Sequence, residues 1–285
     1  FVSIILLFKL LVLKPYPHVQ VRLTFNGQEV YRKTEYDGFF KFEWSANENV
    51  DAGWHGVKIE ALDKDGKILA IGLGQVFVPH ITQFAFISDI DDTVMVSHSA
   101  TIRRRLRELF IKNPRTRKTF KGTYTHYSAL AISHTTADQP NPFFYVSSSE
   151  WNLYDYLVEI FSYNKLPDGA FLLNQIKQWR DLIKTGKTRH EGKLMRVMRI
   201  LDAFPNQKFD FFGDNTQKDP EIYTAIAEKY PKNIAAVYIR NIRKDMEEPT
   251  KALLKRIEAQ NIRTCLFENS VDAIEHSKKI GLIAD

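Results

Sequence analysis

The chain has 285 residues, a formal charge of +6 and one cysteine, Cys265. That length suits two modest domains, and 44% hydrophobic with 26% charged residues excludes a disordered or fibrous chain. The lone thiol excludes an intrachain disulfide framework and a multi-cysteine zinc site, while the basic balance favours anionic partners without choosing among them.

Residues 1–13 are apolar except for Ser3 and Lys9. The run is shorter than the roughly 20 residues a transmembrane helix needs. Its β-branched and aromatic content predicts one or two buried strands, with a signal-peptide remnant or membrane-touching segment as the alternative. Val19, Val21, Leu23 and Phe25 then alternate with polar residues, a period of two that predicts a strand. Asn26-Gly27 predicts a hairpin turn, since both residues tolerate positive φ. Asp37-Gly38 predicts another turn ahead of Phe40, Phe42 and Trp44. Val57, Ile59 and Ala61 alternate again up to Asp65-Gly66, and an apolar run continues to Val78. Residues 1–80 therefore read as a small all-β sandwich, closed by Pro79 and His80.

From Phe84 the pattern changes. Short apolar runs at 84–87, 143–146, 170–173, 209–212, 234–239 and 264–267 read as strands. Helix-like stretches at 151–163, 194–203, 222–229, 250–259 and 271–280 lie between them. This alternation predicts an α/β fold over 81–285, a Rossmann-like parallel sheet with helices on both faces and ligands at the carboxyl ends of the strands.

The carboxylates fall at those ends. Asp89 and Asp91 follow the run 84–87 two positions apart, so an extended backbone points both the same way. Such crowding is costly unless a metal or a shared proton relieves it. Asp214 and Asp219 follow the run 209–212 through Gly213. Four carboxylates at one sheet edge suit a hard cation such as magnesium. The run 143–146 leads into Ser147-Ser148-Ser149, whose donors could meet phosphoryl oxygens, and Lys193 adds an ammonium at the head of the stretch 194–203. Together these groups supply what phosphoryl transfer to a carboxylate requires. Blander readings stand beside them: Asp219 before Pro220 is a good helix cap, Asp92 reads as structural, and His98, His126 and His134 default to the surface.

Asp89-Ile90-Asp91-Asp92-Thr93 resembles the first motif of the haloacid dehalogenase superfamily of phosphatases. Ser147, Lys193 and the stretch from Gly213-Asp214 to Asp219 are similar to its later motifs, in order. More closely, the segments 86–93, 143–147, 151–155, Gly213-Asp214, Gln217, 219–223 and Tyr238-Ile239-Arg240 resemble the catalytic domain of actin-patch-type phosphatidate phosphatases, over 84–243. Three positions depart from that family's usual pattern: Glu150 stands for a proline, Gly192 for a histidine (with His190 nearby), and Gly213-Asp214-Asn215-Thr216 for Gly-Asp-Ser-Gly.

The resemblance implies a haloacid dehalogenase-like fold and a magnesium-dependent hydrolysis of phosphatidate to diacylglycerol and phosphate. Asp89 would be the nucleophile forming an aspartyl-phosphate, and Asp91 the acid and base. Ser147 and Lys193 would hold phosphoryl oxygens, with Asp219 orienting Lys193 or a metal-bound water. Thr93, Ser148 and Ser149 would contact substrate, and Asp89, Asp91 (through its carbonyl) and Asp214 would hold magnesium. Soluble phosphomonoesters, or partner binding without catalysis, are the alternatives. Arg103, Arg104, Arg105, Arg107, Lys112, Arg115, Arg117, Lys118 and Lys121 oppose only Glu108. They read equally as a solvated helix face or as a patch for anionic lipid headgroups. The expected location is cytoplasmic, with peripheral contact to an anionic membrane as an option, and no nucleic-acid partner is expected.

Overall fold

A computed structural model describes residues 15–78, 84–95, 119–174 and 189–284. They fall into two compact units, 15–78 and 84–284. The apolar start at 1–13 and most of the basic stretch 103–121 lie outside the described residues.

The first unit is a four-stranded antiparallel sheet in the order β2-β1-β3-β4. Its strands are β1 (Gln20–Phe25), β2 (Gln28–Lys33), β3 (Gly53–Leu62) and β4 (Ile68–Val78). Asn26 and Gly27 turn β1 into β2 with φ of 47° and 75°, the left-handed pair a two-residue hairpin requires. Leu23, Phe25 and Val57 form a small core on one face. The expected second layer of the sandwich is absent among the described residues. Phe40, Phe42 and Trp44 belong to an irregular segment, from which Phe42, Trp44 and Val50 pack on that core. Two aromatic rings and a valine cover so small an apolar face, and no second ladder is needed.

The second unit is built on a parallel sheet in the order β10-β9-β8-β5-β6-β7. The strands are β5 (Phe84–Ser88), β6 (Phe143–Glu150), β7 (Gly169–Asn174), β8 (Lys208–Asp214), β9 (Ile234–Arg240) and β10 (Arg263–Phe267). The helices are α1 (Thr123–Ala131), α2 (Tyr154–Tyr163), α3 (Arg189–Ala203), α4 (Asp219–Lys229), α5 (Glu247–Glu258) and α6 (Ser270–Lys279). Both sheet faces are buried, which is why these strands read as continuous apolar runs. Phe86, Tyr145, Phe212 and Tyr238 face α1, α2 and α6, whereas Ile87, Val146, Phe211 and Val237 face α3, α4 and α5. From β5 the chain runs outward through β6 and β7, then returns to the other side through β8, β9 and β10. This reversal opens a crevice at the carboxyl end of β5, where ligands of such sheets bind. Among the described residues, no helix is long and apolar enough to cross a membrane.

Helix α1 was not foreseen. Its buried face carries Thr123, His126 and Tyr127 beside Leu130 and Ala131, so no apolar periodicity marks it. His126 is correspondingly buried rather than at the surface. Its ring packs edge-on against Phe212 and Tyr238, and Nε2 lies 2.8 Å from Ser277 Oγ. Burial, with Arg240 and His276 nearby, drives its pKa down to about 3, so the ring is neutral. His134 is exposed, as expected, and His98 lies outside the described residues.

Candidate active site

Asp89 is the first residue beyond β5. Its amide donates to Phe212 O on β8 at 2.8 Å, which carries the ladder one step past the strand. Ser88 Oγ donates to the Asp89 carbonyl at 2.6 Å, leaving Tyr127 OH, 2.8 Å away, as donor to the serine. The next residues form a tight loop. Val94 and Met95 amides both donate to Ile90 O at 3.1 Å, and Asp92 takes the left-handed conformation with φ of 59°. Ile90, Val94 and Met95 sink into the core and fix the loop, and the acids between them, Asp91 and Asp92, are buried as well.

Asp89 is 1% exposed, and its two oxygens differ. Oδ1 accepts from Lys193 Nζ at 2.7 Å, whereas Oδ2 is buried without a hydrogen-bond partner among the described residues. Burial pushes the Asp89 carboxyl well up, Lys193 opposes this, and Asp219, Asp214 and Asp91 add to the rise. Lys193 projects from α3 and bridges Asp89 to Asp219 Oδ1. Burial works against the ammonium, but the two carboxylates outweigh it and hold its pKa above the ordinary lysine value.

Asp214 ends β8. Its Oδ1 accepts from the Thr216 amide at 2.6 Å and its Oδ2 from Thr93 Oγ1 at 3.2 Å. Burial first, then Asp219, pushes its pKa up to about 7. Carboxylate oxygens of Asp89, Asp214 and Asp219 lie within 4.8 Å of one another. Three buried acids around one lysine carry excess negative charge, and the orphaned Asp89 Oδ2 is an unused hard donor among them. This set fits a divalent cation of magnesium's class. Gly213 makes the convergence sterically feasible: a Cβ there would lie 2.7 Å from Asp219 Oδ2 and 2.8 Å from the Tyr223 ring.

Asp91 takes a different direction. Its Oδ2 accepts from Ser149 Oγ at 3.2 Å and Ser147 Oγ at 3.4 Å, and Ser147 Oγ in turn accepts from the Ser149 amide at 2.9 Å. The two acids two positions apart thus avoid sharing a site. One is met by Lys193, the other by the hydroxyls at the end of β6. That β6 loop is clamped from behind. Asn174 Nδ2 donates to Ser148 O at 2.9 Å, and Arg196 donates to Asn174 Oδ1 at 2.5 Å and to Ser147 O at 3.1 Å.

The structure therefore gathers Asp89, Asp91, Ser147, Ser149, Lys193, Asp214, Asp219 and Thr93 at one sheet end. Among the described side chains, Asp219 rather than the Asp91 carboxylate joins Asp89 and Asp214 in the cluster that could hold a cation; the expected ligand set uses only the Asp91 carbonyl. Two details differ from the sequence reading. The Thr93 and Ser149 hydroxyls, expected to face substrate, serve the carboxylates of Asp214 and Asp91. Asp219 is not a cap: it lies inside the first turn of α4, its side chain bonding to Lys193 and the Asp214 amide while Lys218 holds the cap position. Ser148 contributes its carbonyl to the Asn174 contact. Asn174 and Arg196 were missed because their bonds span distant segments, and Thr216 and Arg240, though inside segments quoted for the resemblance, were given no role.

The sequence pattern of the family described as phosphatidate phosphatase APP1, catalytic domain, matches residues 84–241. Phosphatidate phosphatase APP1 of Saccharomyces cerevisiae is 33% identical over 155 residues, covering 54% of this chain and 25% of that protein. An uncharacterized protein of Schizosaccharomyces pombe is 24% identical over 191 residues, covering 66% of this chain and 30% of that protein. The match thus spans about a quarter to a third of those relatives' length. With the pattern covering more than half of its residues and every site carboxylate inside it, the chain belongs to the phosphatidate phosphatase APP1 catalytic-domain family.

Proposed function

We propose that the chain is a magnesium-dependent phosphomonoester phosphatase of haloacid dehalogenase type, with phosphatidate as its substrate. The observation that carries this reading is the asymmetry of Asp89. One oxygen is held by Lys193, and the other is buried and without a hydrogen-bond partner among the described residues, while Asp91, two positions on, is held by serine hydroxyls. A carboxylate so placed suits a nucleophile better than a structural ion pair, which would satisfy both oxygens. Relationship to a protein named phosphatidate phosphatase supplies the substrate. In this reading 81–285 carries the catalysis and 1–80 is accessory.

In the first step Asp89 Oδ2 attacks phosphorus, the bond from phosphorus to the diacylglycerol oxygen breaks, and that oxygen takes the proton of the Asp91 carboxylic acid. In the second, water attacks the aspartyl-phosphate at phosphorus and gives its proton to the Asp91 carboxylate. The phosphorus–Asp89 bond breaks, releasing inorganic phosphate and restoring both residues. Ser147 and Ser149 hold Asp91 facing the reacting oxygen. Lys193 favours the ionised form of Asp89 against burial and the neighbouring acids, and Asp219 keeps Lys193 charged and in place. Asp89, Asp214 and Asp219, with the Asp91 carbonyl, are the groups that would hold magnesium, which would stabilise charge on the transferring phosphoryl group.

The test is phosphate release with magnesium present, from vesicles containing phosphatidate and from p-nitrophenyl phosphate. Release from the vesicles at the higher kcat/KM is expected. Turnover of the soluble ester alone would overturn the lipid assignment, and no release from either would overturn the phosphatase reading.

A further inference from the structure

Arg240 ends β9 directly across from Asp214 in the sheet register. It is 3% exposed, and its guanidinium lies 4.2 Å from the centre of the Phe120 ring and 4.7 Å from that of Phe267. Its nitrogens donate to Thr93 O at 3.2 Å, Glu268 O at 3.3 Å, Ser270 Oγ at 3.1 Å and Thr123 Oγ1 at 3.4 Å. No acceptor is a carboxylate, and Arg240 makes no ion pair among the described residues. Burial brings its pKa down to about 10, so it is still a cation at neutral pH. A buried cation with only neutral acceptors is expensive to keep, even between aromatic faces. An apolar side chain would fill the space at lower cost, so the contacts it makes are the ones to explain.

One of them leads into the active site. Thr93 accepts from Arg240 through its carbonyl and donates through Oγ1 to Asp214 Oδ2 at 3.2 Å. The same residue lies in the loop that presents Asp89 and Asp91, and that loop's far end, Val94 O, accepts from the Phe120 amide at 3.1 Å beneath the arginine. Arg240 thus grips both sides of the loop's base: the Thr93 carbonyl on one and the Phe120 ring on the other.

We propose that Arg240 is a positioning residue for phosphoryl transfer. By fixing the Thr93 carbonyl it aims the Thr93 hydroxyl at Asp214, and it holds the 89–95 loop in the form that presents both aspartates. This rests on the phosphatase reading above. Outer residues that orient a metal-site carboxylate characteristically matter by about 10- to 100-fold.

The test compares Arg240→Gln, Arg240→Lys, Thr93→Val and the Arg240→Gln/Thr93→Val pair. Arg240→Gln should lower kcat on p-nitrophenyl phosphate by about 10- to 100-fold with KM nearly unchanged. Arg240→Lys should recover part of the loss, since it keeps the charge but not the four-way fork. The double variant should be no worse than its poorer parent, because both changes break one chain of contacts. Additive losses, or a loss confined to KM, would overturn the proposal. Hydrogen exchange supplies a readout that needs no turnover. Arg240→Gln and Arg240→Lys should speed exchange in 89–95 and leave β7 and α5 unchanged. If the wild type releases no phosphate, the phosphatase reading fails and with it the catalytic role, while exchange still decides whether Arg240 holds the 89–95 loop. Unaltered exchange in 89–95, or acceleration throughout the molecule, would overturn it.

Discussion

The two units treat charge in opposite ways. In 15–78 the one buried acid, Glu60, is met from both sides by Arg22 at 2.7 Å and Lys58 at 2.6 Å. Among the described residues of 84–284, Asp89, Asp91, Asp92, Asp210, Asp214, Asp219, Lys193 and Arg240 are all buried, and six of these eight are acids. Among the described residues, one oxygen of Asp89 is left without a partner and Arg240 has no acid to pair with. Buried charge that is paired belongs to ordinary folding energetics. Buried charge left out of balance at one strand end needs a ligand or a reaction to account for it.

The strongest way to break that contrast is to remove the nucleophile. Asp89→Asn should reduce phosphate release to background. It should leave the melting temperature equal or higher, because the amide relieves a carboxyl that burial and three neighbouring acids disfavour. Residual turnover above a few per cent would refute the assignment of Asp89. A melting temperature lowered by many degrees would instead make the residue a structural one.

Next in size is the pH dependence of the metal-free protein. Asp214 titrates near pH 7 when folded and close to the ordinary carboxylate value of about 4 when unfolded. Between those values the folded state binds more protons, so Asp214 makes stability fall as pH rises, by on the order of a few kcal/mol, and Asp89 acts with the same sign. With a chelator present, Asp214→Asn should therefore gain on the wild type steadily from pH 5 to pH 8 in thermal melts. Magnesium should raise the wild-type midpoint most at the alkaline end. Parallel melting curves for the two proteins across that range would show that the excess negative charge is not real.

Much of this site was legible beforehand, for a physical reason. Strands buried on both faces appear as apolar runs, and the acids stand out at their ends. Hence Asp89, Asp91 and Asp214 could be placed before any coordinates. The backbone turn at Asn26-Gly27 was equally plain, since positive φ restricts residue choice. What stayed hidden was whatever acts through space. Arg240 reaches Thr93 across 147 positions and Arg196 reaches Ser147 across 49, with no periodicity to betray either. The same holds for direction: spacing placed Asp91 beside Asp89 but could not say that its carboxylate would turn to the β6 serines. In the first unit Phe40, Phe42 and Trp44 alternate without forming a strand, because packing on a sheet face and pairing within one favour the same residues.

A smaller effect tests how the site's crowding is achieved. Gly213→Ala would put a methyl 2.7 Å from Asp219 Oδ2 and 2.8 Å from Tyr223, which is fully buried. Overpacking of this kind costs about 1–3 kcal/mol. Asp219 should yield first, because it ends in a movable carboxylate, and its shift would loosen Lys193. A drop in kcat larger than the loss of stability alone would explain is the expected result. Unchanged kcat and melting temperature would mean that α4 can retreat from β8 freely, and that glycine is not what lets these acids converge.

The smallest effect belongs to the other unit, on the edge strand β4. Ile68, Leu69, Ile71 and Leu73 are all exposed there, Leu73 to 86%. A long apolar edge invites pairing with another strand, and lysine is a common device against it. Leu73→Lys removes almost no buried contact, so stability should stay within about 0.5 kcal/mol. Phosphate release should be unchanged, while self-association measured by sedimentation at high concentration should fall. If instead Leu73→Lys lowers the melting temperature by several degrees, this strand is covered in solution. The contrast would then need restating: an imbalance of charge in one unit would be matched by an imbalance of apolar surface in the other, each answered by a partner.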